Sequence, residues 1–204
     1  MVRNVVLIAL LLVFPPFLPR AAATPNLSPG DLGRLQRGEI VFKPDLPQSE
    51  GSQTGNGGTA MALVDADVEA VWRILTDFAH YAGLFPRLKE SEVVDQFGTR
   101  ALVRFHVNVG PFHFRFNIAH VVSWGNRQIR WHLDRTQTND LFQDTWGYWQ
   151  LDPLPGSRVL VTYGMASRTV LPAFLTRGSE QDSVVQTIAA LKARVERAGK
   201  TLAN

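Results

Sequence analysis

The stretch TRALVRFHVNVGPFHFRFNIAHVVSWGNRQIRWHLD, residues 99–134, predicts three antiparallel strands joined by two tight turns. A two-residue turn at Gly110 and Pro111 sets Val103 opposite Ile118. Side chains alternate between the two faces of a strand, so one face of this hairpin is apolar and the other is polar. A slip of one residue would turn the aromatic face to water, and this specifies the register strongly. The remaining apolar pairs are Phe105 with Phe116, Val107 with Phe114, and Val109 with Phe112.

A second turn extends the sheet by one strand. Gly125 and Asn126 form a Gly-first pair, which predicts a type II′ turn and sets His120 opposite Trp131. The apolar face of the three strands is too large and aromatic to be left bare, so another element must cover it. We take these residues of the face as candidates for lining a ligand cavity: Phe105, Val107, Phe114, Phe116, Ile118, His120, Trp131 and Leu133.

The covering element is predicted at the C-terminal end. Residues 172–198 contain the only long amphipathic helix of the sequence, and its apolar stripe consists of Val184, Val185, Ile188, Leu191 and Val195. An antiparallel sheet with one apolar face and one amphipathic helix packs as a pair of α+β layers. We therefore predict an α+β fold, with Val184 and Ile188 completing the lining from the helix side.

The last hairpin, residues 144–165, turns at residues 153–156. Its inward face stays open at this point, because two sets of large side chains compete for it. One set is Trp149 and Leu160, and the other is Trp146, Tyr148, Val161 and Tyr163. Tyr163 is retained as a further candidate for the lining.

The N-terminal residues 1–23 have the pattern of a secretory signal. Arg3 precedes an apolar run, and Ala23 ends a small-residue cleavage site. We expect cleavage after Ala23 and a secreted or periplasmic protein, while a retained membrane anchor stays an alternative. Residues 24–58 form an N-terminal extension: a short helix that starts at Ser28, a strand over residues 39–43, and a flexible loop over residues 44–58.

Residues 65–94, DADVEAVWRILTDFAHYAGLFPRLKESEVV, predict a helix capped by Asp65 or Asp67, a second short helix over residues 79–84 and a strand over residues 90–97. This string resembles the opening of the START or helix-grip (SRPBCC) superfamily, in the branch of polyketide cyclases and coenzyme-Q-binding START domains. The string GYWQLDPLPGSRVLVTYGM, residues 147–165, resembles the penultimate hairpin of the same family.

The resemblance implies a curved antiparallel sheet wrapped around a long C-terminal helix, with two short helices after the first strand and an apolar cavity between sheet and helix. It places a START-like domain at residues 59–198, followed by a tail at residues 199–204. The implied function is the binding, and in some cases transfer, of a hydrophobic molecule such as a lipid, a quinone or a polyketide-like compound.

Composition and charge exclude several other classes of protein. The formal net charge is +3 and the basic residues are scattered, so we expect no nucleic-acid binding and at most peripheral contact with a membrane. The sequence has no cysteine and therefore no disulfide. It also lacks a phosphate-binding loop, a zinc motif and a nucleophile elbow, so we predict no cofactor, no metal and no assigned catalytic residue.

The histidines are candidate functional groups, because an imidazole can change its charge near neutral pH. His120 is the polar residue on the apolar face, where it either contacts a ligand or lies at the rim, paired with backbone or water. His106 and His113 are expected on the solvent-facing side, and His80 and His132 have no partner by spacing. The carboxylates Asp134, Asp140 and Asp144 are interpreted as solvated turn residues.

Two classes of function follow. The first is a non-enzymatic protein that binds or transfers an apolar molecule, with a gate at the loop around Pro86 or at the start of the last helix. The second is a cyclase or aromatase that uses His120 and Tyr163 in the same cavity, which an exported location would disfavour. A third alternative is a non-catalytic accessory protein of the cell envelope.

Overall fold

The computed structural model describes residues 27–48, 54–171 and 179–202 of the chain. The helices are α1 (Pro29–Gln36), α2 (Val68–Thr76) and α3 (Ser179–Leu202), and a 3₁₀ turn lies at Phe78–His80. The strands are β1 (Val41–Lys43), β2 (Asn56–Val64), β3 (Leu88–Phe97), β4 (Arg100–Val109), β5 (Phe112–Ser123), β6 (Gln128–Leu133), β7 (Phe142–Leu154) and β8 (Arg158–Thr169). They form one antiparallel sheet in the order β1-β2-β8-β7-β6-β5-β4-β3, which confirms the predicted α+β helix-grip architecture.

The register predicted for the central strands is confirmed. Val103 pairs with Ile118 across β4 and β5, and His120 pairs with Trp131 across β5 and β6. Gly110 adopts a φ of 59°, a left-handed conformation that glycine reaches without a steric penalty and that the tight turn requires.

The type of the second turn was predicted wrongly. Its position is correct, because the amide of Arg127 donates to the carbonyl of Trp124 at 2.9 Å across Gly125 and Asn126. A type II′ turn would need a positive φ at Gly125, whereas the positive φ of 48° belongs to Arg127. The left-handed residue therefore comes at the end of the turn rather than at its first central position.

The C-terminal helix covers the concave face of the sheet. Val184, Ile188, Leu191 and Val195 of α3 are buried in the same apolar core as β2, β4, β5 and β8. The ammonium of Lys192 donates to the carbonyl of Leu63 at 2.6 Å, which ties the helix to β2. Residues 172–178, where the sequence analysis began this helix, lie outside the described residues.

The last hairpin directs Trp149, Leu151, Val161 and Tyr163 towards α3. Neither predicted set is therefore correct as a whole, because each one is divided between the two faces. Tyr163 and Trp149 are paired across β7 and β8, so their side chains share the concave face. On the convex face the rings of Trp146 and Tyr148 and the side chain of Leu160 are buried instead.

A second layer on the convex face explains why those side chains are buried. Helix α1 starts at Ser28 with a reciprocal capping box to Asp31, as the Ser-Pro sequence predicts. It forms an outer core with β1, β2 and β8, which consists of Leu35, Val41, Met61 and Leu160. The indole of Trp146 donates to the carbonyl of Pro47 at 2.9 Å. Thus the N-terminal extension covers the convex face at β2, β8 and β7.

Two local predictions in the N-terminal half need correction. The loop predicted over residues 44–58 is shorter, because β2 already begins at Asn56; residues 49–53 lie outside the described part. The second short helix predicted over residues 79–84 is the 3₁₀ turn Phe78–His80 followed by a turn between Tyr81 and Leu84. Gly83, with a φ of 80°, ends any helical continuation. No helix of the described residues is long and apolar enough to cross a membrane.

Candidate functional site

An aromatic cluster occupies the space between the concave face and α3. Its centre is Phe85, which follows the 3₁₀ turn. The ring centroid of Phe85 lies 5.3 Å from that of Tyr81, 6.3 Å from Phe105, 6.5 Å from Trp149 and 6.1 Å from Tyr163. Four separate segments of the chain therefore meet at one phenylalanine. We refer to these five residues as the aromatic cluster.

The structure brings the apolar lining candidates into the single core that contains this cluster. Phe105, Phe116, Ile118, Leu133, Tyr163, Val184 and Ile188 are buried there, and Val107, Phe114 and Trp131 are partly buried against it. Trp131 packs so closely over Gly147 that a Cβ atom at Gly147 would overlap its indole ring. The alternation of β4, β5 and β6 thus predicted which side chains face the helix.

His120 lies in the same core and not at the rim. Its side chain is 4% exposed, with the ring of Phe78 at 4.5 Å and that of Phe105 at 6.2 Å between centroids. The Nδ1 atom is buried and has no hydrogen-bond partner among the described residues, while backbone groups of Ile118 and Ala101 hydrogen-bond with the ring. The predicted backbone pairing is therefore present, but the predicted position at the rim is wrong. Burial lowers the pKa of His120 to about 3, because the apolar surroundings disfavour the imidazolium. The ring is therefore neutral near pH 7.

The two inward tyrosines are also held in their neutral form. The hydroxyl of Tyr81 donates to the carbonyl of Leu75. Burial raises the pKa of Tyr81 and of Tyr163 far above the ordinary value of a phenol. Their hydroxyls can donate or accept hydrogen bonds, but neither serves as a base near neutral pH. The interior thus offers uncharged polar groups set among aromatic rings.

An open hollow of about 360 Å³ lies between residues 83–89 and the α3 residues Gln186 and Ala190. Phe85 lines this hollow and also touches the other rings of the aromatic cluster. Its ring therefore lies between the surface and the interior. The backbone on each side of Phe85 is unusual, since Gly83 and Arg87 have φ values of 80° and 65°. We call this feature the entry hollow.

A second hollow of about 470 Å³ is polar and involves the other side of β4 and β5. His106 and His113 line it, and each already has a side-chain partner. His106 Nδ1 lies 3.0 Å from a carboxylate oxygen of Glu90, and His113 Nδ1 lies 2.6 Å from Asn108 Oδ1. Groups of three or more His, Cys, Asp or Glu side chains suited to a metal ion do not occur within the described ranges.

Two other predictions about polar residues are corrected by the structure. His80 does have a partner: its Nδ1 lies 2.7 Å from Asp77 Oδ1, three residues earlier. Asp144 is not a solvated turn residue, because it is buried on β7 and pairs with Arg135 at 2.8 Å and Arg168 at 3.4 Å.

Sequence reasoning missed three residues of the site. Phe85 lies in a segment with no periodic pattern, so the sequence does not predict which way its side chain points. Trp149 had an undecided facing. Thr187 lies on α3 between the exposed Gln186 and the buried Ile188, and it is completely buried. Its position one step from the apolar stripe was the available signal.

The family comparison agrees with this geometry. Residues 64–192 match the model of a family described as "Polyketide cyclase / dehydrase and lipid transport". No curated protein matches the chain at a significant level.

Similar solved structures come from several bacteria. A STAR-related lipid transfer protein from Xanthomonas axonopodis has a TM-score of 0.63 at 16% identity, over 87% of this chain and 99% of that one. The Zhui aromatase/cyclase from a Streptomyces species has a TM-score of 0.56 at 18% identity, over 68% of this chain and 92% of that one. A START superfamily protein from Mycobacterium smegmatis has a TM-score of 0.57 at 19% identity, over 69% and 97%. These likenesses concern the fold. Since the family model spans more than half of the sequence, this chain belongs to the polyketide cyclase/dehydrase and lipid transport family.

Proposed function

We propose that the protein binds, and passes on, a hydrophobic small molecule held between the concave face of the sheet and α3. The observation that carries this proposal is the aromatic cluster, whose central residue also lines an open hollow at the surface. Burial of apolar ligand surface contributes about 25 cal/mol per Å², so a lipid or quinone needs few polar contacts for binding. The family description and the related lipid transfer protein support the same conclusion.

Entry would take place at the entry hollow. Phe85 separates that hollow from the interior. On either side of it, the backbone amide of Leu84 donates a hydrogen bond to the carbonyl of Tyr81, and the amide of Leu88 donates one to the carbonyl of Phe85. Rotation of the Phe85 side chain would join the hollow to the space between sheet and helix. We therefore assign the predicted gate around Pro86 to the side chain of Phe85.

The chemistry of the interior favours a carrier over a cyclase. A neutral His120 is a poor proton donor, and the buried tyrosines are poor bases near pH 7. A catalytic role for His120 and Tyr163 would require a proton donor or base that these groups do not supply in the ligand-free protein. We further propose that the protein acts outside the cytoplasm, from the signal-like residues 1–23, which lie outside the described residues.

The experiment is mass spectrometry of the protein purified natively from its own host, in two parts. An organic extract should contain a lipid, quinone or similar molecule at a near-stoichiometric amount. The intact mass should correspond to a chain that begins at Thr24. An empty extract combined with a full-length mass would contradict both proposals.

Variants test the location of the cargo. Trp131→Ala and Phe116→Ala should each lower the recovered cargo several-fold, because both rings line the interior. Phe112→Ala is the matched control, since Phe112 lies on the same strand as Phe116 but is 58% exposed. Equal recovery from all three variants would place the cargo elsewhere.

A further inference from the structure

Eight buried side-chain polar atoms have no hydrogen-bond partner among the described residues, and we consider two of them, one supplied by the sheet and one by the last helix. One is Nδ1 of His120, which the sheet supplies on β5, and the other is Oγ1 of Thr187, which the helix supplies on α3. Thr187 is 0% exposed. A buried polar group without a partner has lost its hydration and gained nothing in exchange, so proteins rarely retain one without a reason.

Helix geometry places Thr187 on the buried side of α3. Residues three and four apart share a helix face, so Thr187 lies beside Val184 and Leu191 of the buried stripe. Its other neighbours, Gln186 and Ala190, line the entry hollow. The hydroxyl therefore lies on the buried side of α3, beside a residue that lines the entry hollow.

The surroundings of His120 indicate which chemical group would satisfy it. Its ring contacts are Phe78 and Phe105. Backbone groups of Ile118 and Ala101 hydrogen-bond with the imidazole, and no carboxylate of the described residues is among the groups that act on it. A carboxylate or ammonium group brought to this position would lose its hydration without a counter-charge, which costs far more than a missing hydrogen bond. The group must therefore be uncharged.

A hydroxyl group matches both polar atoms. Neutral imidazole presents Nδ1 either as a donor or as an acceptor, according to its tautomer. A threonine hydroxyl does both as well. A ligand hydroxyl can donate and accept, so it fits either tautomer of His120, whereas a carbonyl or ether oxygen fits only one.

We propose that the cargo of this protein is an uncharged alcohol or phenol, whose hydroxyl binds His120 Nδ1 while its carbon skeleton lies in the aromatic cluster. A molecule long enough to reach α3 would also meet Thr187. This inference rests on the proposed function and narrows it to one class of hydrophobic ligand.

The inference also has a consequence for stability without ligand. Replacing an unpartnered polar group by an apolar one of similar shape is neutral or stabilising. His120→Phe and Thr187→Val should therefore leave the empty protein as stable as the parent or make it more stable. A loss of stability in both variants would show that the two atoms have partners in the empty protein.

The decisive test is a binding cycle with two ligands that differ by one hydroxyl. The chain of residues 24–204 is loaded with N-phenyl-1-naphthylamine, an uncharged fluorescent probe. The probe is then displaced by dodecanol or by dodecane. In His120→Phe the affinity for dodecanol should fall about tenfold relative to that for dodecane, which is the loss of one hydrogen bond of about 1.4 kcal/mol. Thr187→Val is carried through the same cycle, in case His120→Phe does not fold.

Each outcome of the cycle has a distinct meaning. His113→Phe is the matched control, because His113 is an exposed histidine on the same strand, and it should leave both affinities unchanged. If both ligands respond equally to His120→Phe and to Thr187→Val, the two atoms bind internal water only; the alcohol proposal then falls while the proposed function stands. If the parent protein does not take up the probe, both proposals fall together.

Discussion

At the scale of single residues, His120 couples the interior of the protein to pH. The folded protein keeps the ring neutral down to about pH 3, whereas an unfolded chain protonates histidine near pH 6.5. Between these values the unfolded state binds more protons, so the free energy of unfolding falls as the pH is lowered through this window. The ring contributes a slope of at most about 1.4 kcal/mol per pH unit.

We expect His120→Phe to flatten this pH dependence. Urea unfolding of the parent and the variant between pH 4 and pH 7 measures the difference in slope. Phe112→Ala is the control that should keep the parent slope, since it removes an exposed ring and no titratable group. An unchanged slope in His120→Phe would mean that the ring is hydrated in solution.

Phe85 is the second side chain with a defined role, and its removal should accelerate ligand entry. In Phe85→Ala the entry hollow would open directly to the interior, so we expect the association rate of N-phenyl-1-naphthylamine to rise several-fold, as measured by stopped-flow fluorescence. Phe112→Ala, which removes an exposed ring, should have the parental rate. Entry at the parental rate in Phe85→Ala would exclude this path.

The two side chains also show what a sequence reveals about single residues. The inward direction of His120 was predicted, because it follows from the alternation of one strand. Its depth was not, because the ring of Phe78 that covers it comes from a segment about forty residues away along the chain, beyond the reach of any local pattern. Phe85 has no periodic neighbours at all, and only the folded chain brings its partners together.

At the scale of elements, the close contact between β6 and β7 depends on a residue without a side chain. A Cβ at Gly147 would overlap the indole of Trp131 and the carbonyl oxygen of Gly164, and neither the strand backbone nor a packed ring can move freely. Gly147→Ala should therefore lower the free energy of unfolding by about 1–3 kcal/mol.

The control for that substitution is Gly125→Ala. A Cβ at Gly125 would meet no atom within 4 Å, so its effect should stay within about 0.5 kcal/mol. Both values are obtained from urea unfolding at pH 7. Equal stability of the two variants would show that Trp131 does not pack over Gly147 in solution.

The elements differ in how well the sequence predicted them. The register of β4, β5 and β6 was correct because one face of these strands is polar, and alternation is then visible. The facing of β7 and β8 stayed open because these strands are covered on both sides, by α3 and by the outer core. Strands that are buried on both faces lose the alternation from which their direction is inferred.

At the scale of the whole molecule, we expect the outer core to contribute to the stability of the fold and not to the affinity for a ligand. Leu35 of α1 is 2% exposed on the convex side, across the sheet from the aromatic cluster. Leu35→Ala should lower the free energy of unfolding by about 2–3 kcal/mol, in the lower part of the range for buried leucine. The affinity of the folded protein for the fluorescent probe should not change.

Leu32→Ala provides the matched control from the same helix, since Leu32 is 47% exposed. Chemical denaturation and probe titration of both variants give the two quantities separately. A weaker affinity in Leu35→Ala would show that the two faces of the sheet are coupled. This outer layer was predicted only as a helix and a strand in an extension, because nothing in their local pattern indicates which surface they cover.

The strand order determines when, during synthesis of the chain, the sheet can be completed. Strand β2 pairs with β8, so Ala60 meets Tyr163 about a hundred residues later in the chain, while β3 to β7 form successive hairpins between near neighbours. Closing a long segment is slower than forming a hairpin, and we expect the hairpins to form first. The N-terminal strands and the outer core that depends on β8 must then wait until nearly the entire polypeptide has been made. We therefore expect the N-terminal end of a nascent chain to stay unpaired until β8 has left the ribosome, so that the sheet is completed only after most of the polypeptide has been made.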